Sequence, residues 1–267
     1  MMLIFKLLNF KALRWCVFAL LAFSGVAQGA TQYVMVHGYS QSHKAYDECH
    51  GQSECNIYFE FGQLSGNVVH VGWKANQEDW RYNPVIRTTW IFDQYCRGSK
   101  DCTVICHSTG CPIVGKALSV YGKNNRWSKI KRVIALGSAE GGSELGAYWD
   151  NARFISPSSV RAAYDHNVTR NVRFYSVQGY DGNIASWKLP GQDDGVVAYH
   201  SACGYSSVVS ATKCKGAKKG PFWKRKTVKN WANHYYTSFC GNKGCNVNHS
   251  GLKAVKYQNL ADLSINP

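Results

Sequence analysis

The chain holds 267 residues, with 31 lysines and arginines against 16 acids for a formal net charge of +15, and 45% of it is apolar. That length suffices for one well-buried domain, and no repeat or low-complexity linker calls for a second. After the first thirty residues no segment approaches the ~20 apolar residues of a membrane span, which predicts a soluble mature chain.

The N-terminus opens with Lys6, Lys11 and Arg14, followed by an apolar run from Trp15 to about Val26. Gly25-Val26-Ala27 and Ala27-Gln28-Gly29 each offer small residues for cleavage. This is the pattern of a secretory signal peptide over residues 1–29; the competing reading, a membrane anchor, needs a longer run. Residues 30–267 then form a single domain. Export favours disulfides. Apart from Cys16, the cysteines fall into sequence-local pairs: Cys49 and Cys55, Cys96 and Cys102, Cys106 and Cys111, Cys203 and Cys214, Cys240 and Cys245. All ten are disulfide candidates. Cys106 and Cys111 are equally compatible with two small buried thiols. No CxxC pair exists, so the spacing of a zinc finger is missing.

Five strand-like runs follow in chain order. They are Tyr33 to Gly38, Asn67 to Trp73, Cys102 to Ser108, Lys131 to Ser138 and Asn171 to Gly179. Their continuous apolar character fits strands buried on both faces. Pro84 to Cys96 and Ser108 to Gly122 have helical spacing, and in the second Ile113, Val114, Ala117, Leu118 and Tyr121 share a face. Alternating β and α units predict a mostly parallel sheet with helices on both faces. Sites in such sheets lie at the carboxyl ends of the strands, where His37-Gly38, Ser108 and Gly137-Ser138 fall.

The stretch Cys106-His107-Ser108-Thr109-Gly110 sits between a strand and a helix. A serine at such a sharp turn is forced out of the sheet edge as a nucleophile, beside the amides of the helix start. The usual pattern is G-x-S-x-G; Gly110 conforms and Cys106 departs, though cysteine is still small. The alternative is a serine that merely caps a helix. A serine nucleophile needs a base and an orienting carboxylate, in the chain order Ser, Asp or Glu, His on this scaffold. Asp193 and Asp194 lie in a loop after the fifth strand, and His249 lies near the end of the chain. His200 is too close to Asp194 to be the later element, and His234 sits among aromatics as packed histidines do. The amides of Tyr39, after His37-Gly38, and of Thr109 are the candidate oxyanion hole.

Together these segments resemble the secreted bacterial triacylglycerol lipases of the α/β-hydrolase superfamily. VMVHGYSQSHKAY is similar to their first strand and oxyanion loop, VICHSTGCPIVGKAL to their nucleophile elbow, and ALGSAEGGSELGAYW to their G-T-P-H-x-G-S segment. GQDDGVVAYHSACGY is similar to their acid loop, where the aspartate directly before glycine belongs to the triad, and VNHSGL to their histidine loop. The resemblance implies an α/β-hydrolase fold, trimmed at the N-terminus and with a short cap over Gly146 to Arg170. It implies Ser108, Asp194 and His249 as the triad of a lipase or esterase. Gly251 stands where those lipases often carry an aspartate that ligates calcium, so that metal site is not implied, and no cofactor is expected. A polyester depolymerase, phospholipase or acyltransferase would use the same site.

One stretch stays outside this reading. Lys213 to Lys229 holds eight lysines and arginines, no acid, and Phe222 and Trp223. It could grip an anionic membrane or polymer surface, and a non-catalytic surface-binding protein is the alternative of another class. Equally it could be a solvated loop that keeps the chain soluble. No nucleic-acid partner is expected. Of the tryptophans, Trp73, Trp80, Trp90, Trp149, Trp187 and Trp223 could line an acyl groove, though most belong to the core on general grounds.

Overall fold

Five apolar runs pair into one sheet in the order β2-β1-β3-β4-β5, and every pairing is parallel. The computed structural model describes residues 31–39, 67–75, 77–98, 100–148, 154–179, 181–182, 187–190, 193–202 and 247–254. The strands are β1 (Gln32–Val36), β2 (Asn67–Val71), β3 (Cys102–His107), β4 (Ile130–Leu136) and β5 (Arg173–Val177). All five expected strands are present, the first four a residue or two shorter than their apolar runs and the fifth trimmed at both ends of its run. The helices are α1 (Asn83–Tyr95), α2 (Gly110–Lys116), α3 (Pro157–Ala162) and α4 (Tyr199–Ala202).

Residues pointing to one face of the sheet, among them Val34, Val36, Val69, Val104, Cys106, Val133 and Ala135, join a core cluster with α1 and α2. The alternate residues Met35, Ile105, Ile134 and Leu136 point to the other face and are buried as well. Burial on both faces is what a central parallel sheet requires, and it explains why the runs are apolar throughout rather than alternating. Trp73 and Trp80 belong to the core, whereas Trp90 and Trp187 are about two-thirds exposed, at 65% and 66%.

The expected helix from Ser108 to Gly122 starts as α2 and ends in a π-helical turn, Ala117–Tyr121. Arg170 donates to the carbonyls of Leu118 (3.4 Å) and Ser119 (2.7 Å). A side chain that competes for helix carbonyls loosens the regular ladder. In the expected cap region, a short 3-10 turn (Glu144–Ala147) precedes α3, whose start is capped by Ser156. Cys96–Cys102 and Cys106–Cys111 are disulfides, with Cα separations of 5.4 and 5.0 Å. Cys49, Cys55, Cys203, Cys214, Cys240, Cys245, the basic stretch Lys213 to Lys229, Trp149, Trp223 and the expected signal peptide lie outside the described residues.

His37, His70 and His166 are buried, and burial pushes each from 6.5 down to about 4. Between pH 4 and 6.5 the unfolded chain therefore binds more protons than the folded one. Stability is full above pH 6.5 and is lost as pH falls toward 4, by at most about 3 kcal/mol per histidine. Urea midpoints at pH 7 and pH 4.5 are expected to show this fall. Packing generates a second expectation. A Cβ on Gly110 would lie 2.7 Å from the His37 carbonyl oxygen and closer still to that of Val36. Neither main chain can yield, so Gly110→Ala is expected to destabilise by ~1–3 kcal/mol, read as a thermal midpoint lower by roughly 2–4 °C per kcal/mol.

Candidate active site

The order of the sheet reverses at β1: the chain runs from β1 out to β2, then returns to place β3 on the other side of β1. A crevice opens at the carboxyl ends of strands where the order reverses. Ser108 directly follows β3 at this crevice, and His37-Gly38 directly follow β1.

Ser108 has φ 53, the left-handed region that non-glycine residues seldom occupy. Its main chain is fixed on both sides. The amide donates to Leu136 O at 3.0 Å, and the carbonyl accepts from Ala139 N and Cys111 N, each at 3.1 Å. The Cys106–Cys111 disulfide spans the turn, resolving the two alternatives left by the sequence in favour of the bond. Thr109 follows in helical conformation as the residue before α2 and is buried. Tyr39, two residues past His37, is half-buried against the core cluster that includes Cys106 and Cys111. His37 is held by Trp73: Nδ1 donates to Gly38 O (2.8 Å), Nε2 accepts from Trp73 N (3.3 Å), and the Trp73 indole donates to His37 O (2.9 Å). The β1 turn is thereby anchored to the end of β2.

Asp194 and His249 come together across 55 residues of sequence. His249 Nδ1 lies 2.7 Å from Asp194 Oδ2, and both side chains are almost fully buried. The other carboxylate oxygen accepts from the amides of Val196 (3.0 Å) and Val197 (2.8 Å). The main chains also join, His249 N donating to Asp194 O at 2.8 Å. Asp193 turns elsewhere and accepts from Gly195 N at 2.9 Å. The His249 ring lies against His107, the residue before Ser108, with ring centroids 4.6 Å apart. His249 Nε2 is buried and has no hydrogen-bond partner among the described residues. His234 lies outside them.

Two contacts of this arrangement escaped the sequence reading, which placed Gly137 at a strand's carboxyl end and His107 before the serine without naming their partners. Gly137 (φ 49) directly follows β4 and packs against the pair, where a Cβ would stand 2.9 Å from Asp194 Oδ2 and 3.0 Å from His249 Nδ1. A glycine at a strand's carboxyl end is the available signal. His107 donates from Nε2 to the His249 carbonyl oxygen at 2.9 Å, and its position beside the serine carries no sign of that partner.

No protein-family model matches the sequence, and no curated protein does. Solved structures do. The mature form of the lipase BlEst2 from Bacillus licheniformis superposes with a TM-score of 0.54 at 14% identity, over 88% of this chain and 92% of that one. A metagenomic carboxyl esterase, MGS0156, superposes with a TM-score of 0.53 at 12% identity, over 84% of this chain and 65% of that one. At such identities the likeness is one of fold, and with the parallel sheet and its order it establishes that this chain has the α/β-hydrolase fold.

Proposed function

We propose that the chain is an exported serine hydrolase of carboxylic esters, acting through Ser108, His249 and Asp194. The observation that carries this reading is the buried pair of His249 and Asp194. Its Nδ1 hydrogen faces the carboxylate at 2.7 Å, which leaves Nε2 as the basic nitrogen, buried beside the Ser108 turn and unpartnered among the described residues. A base so oriented is what a serine hydroxyl needs in order to attack.

Ser108 Oγ adds to the ester carbonyl carbon while His249 Nε2 takes the hydroxyl proton. Asp194 holds the ring and offsets the positive charge it gains. The carbonyl oxygen becomes an oxyanion, for which the amides of Tyr39 and Thr109 are the candidate donors, each worth ~3–4 kcal/mol in the transition state. As the tetrahedral centre collapses, the proton passes from Nε2 to the departing alcohol and an acyl-serine remains. Water then adds to it, its proton goes to Nε2, and collapse returns that proton to Ser108 Oγ and releases the acid. An alcohol in place of water would make the same site an acyltransferase, and a chain-end or phospholipid ester would make it a depolymerase or phospholipase. The two disulfides agree with an oxidising compartment, and with residues 1–29 as a cleaved export signal.

Ser108→Ala is expected to lower turnover of p-nitrophenyl butyrate by roughly 10⁴-fold or more, and a fluorophosphonate probe is expected to label the wild type on the peptide containing Ser108. Unchanged turnover in that variant would leave a surface-binding protein as the better reading. The two neighbouring aspartates separate by role: Asp194→Asn should cost roughly 10⁴-fold in kcat, whereas Asp193→Asn should stay within about tenfold. Amino-terminal sequencing of protein recovered outside the cytoplasm is expected to start after Ala27 or Gly29.

A further inference from the structure

We propose that His107 is a positioning residue for His249, holding the base to the strand that carries the nucleophile. The inference rests on the reading of Ser108, Asp194 and His249 as a triad. His107 is the last residue of β3, and β3 is paired on both sides, with β1 and with β4. His249 belongs to a segment whose described regular structure is one 3-10 turn, Gly251–Ala254. Such a turn does not by itself fix an imidazole within the few tenths of an ångström that proton transfer demands.

The bonds that fix it come from outside the segment. On one side Asp194 accepts from both the His249 amide (2.8 Å) and its Nδ1 (2.7 Å). On the other, His107 Nε2 lies 2.9 Å from the His249 carbonyl oxygen. A carbonyl only accepts, so the His107 hydrogen sits on Nε2. The two rings also touch, tilted by 45° with centroids 4.6 Å apart. His107 is 2% exposed, and burial, with the neighbouring His249 as the next cause, holds its pKa well below 6.5. The ring therefore stays neutral and keeps its donor at neutral pH. It also sets no second positive charge against the imidazolium that His249 becomes. Because His107 and Ser108 are consecutive, any movement of the β3 end carries base and nucleophile together.

The test compares three variants of the full chain on a soluble ester, p-nitrophenyl butyrate, with Ser108→Ala as reference. His107→Leu removes donor and ring. His107→Phe removes the donor and keeps a ring against His249, and it decides the matter if the leucine variant does not fold. His107→Gln brings an amide N–H to about the place of Nε2. The expected result is a kcat lowered roughly 10- to 100-fold in the Leu and Phe variants, with KM within about threefold, and recovery of most of the loss in the Gln variant. Wild-type kcat in His107→Phe, or an equal loss in Phe and Gln variants, would overturn the proposal. Ser108→Ala without effect would instead overturn the triad on which it rests.

Discussion

The left-handed backbone of Ser108 is the constraint on which the site depends. A side chain at φ 53 costs on the order of 1–2 kcal/mol relative to ordinary backbone, and the chain would relax were the turn not held from several directions. Leu136 and Ala139 hold it to the end of β4, Cys111 closes it into α2, and the Cys106–Cys111 bond joins its two flanks. Gly110 lets α2 start directly against the carbonyls of Val36 and His37 at the end of β1. Three neighbouring strands thus converge on one residue. The turn is rigid because its polar main-chain groups are already bonded to the most buried part of the sheet.

The same logic separates one histidine from the others. His37, His107 and His166 are buried, and each has a main-chain carbonyl as a ring partner. A carbonyl carries no net charge and favours the charged ring only weakly, so burial wins and all three stay neutral at neutral pH. His249 has a carboxylate instead. A buried carboxylate is tolerable only when its oxygens are satisfied, and here two amides bond Oδ1 while the imidazole takes Oδ2. A loop that spends two backbone amides on one carboxylate oxygen leaves the other oxygen to a single partner. That partner is the His249 ring.

The strands and the turn were legible in the sequence because a parallel sheet buried on both faces leaves unbroken apolar runs, and because Ser108 and Gly110 fall where such a run gives way to helical spacing. The choice of Asp194 over Asp193 came from resemblance, and its physical basis is visible only in three dimensions. Asp193 folds back on the amide of Gly195, two residues on and at φ 94, while Asp194 meets His249. The π-helical turn after α2 was not legible, and among its partners is Arg170, some fifty residues further on, which reaches the carbonyls of Leu118 and Ser119. The partners of His107 and Gly137 were missed for a similar reason: each meets residues more than fifty positions away, and local pattern says nothing about such partners.

Cys106 is the departure from the usual elbow, and the structure gives it a physical account. A small residue is needed two places before the serine because the first turn of the following helix crosses it closely. Glycine meets that need by having no side chain. Here the crossing residue is Cys111, both cysteines are fully buried in the core cluster, and the space between their Cα atoms, 5.0 Å apart, holds the two sulfurs of one bond. Two sulfurs at bonding distance occupy less room than two in van der Waals contact, so the crossing that glycine permits by absence is permitted here by covalency. The substitution then carries a condition that glycine does not. A bond of this kind persists where thiols stay oxidised, in keeping with the export proposed for the chain.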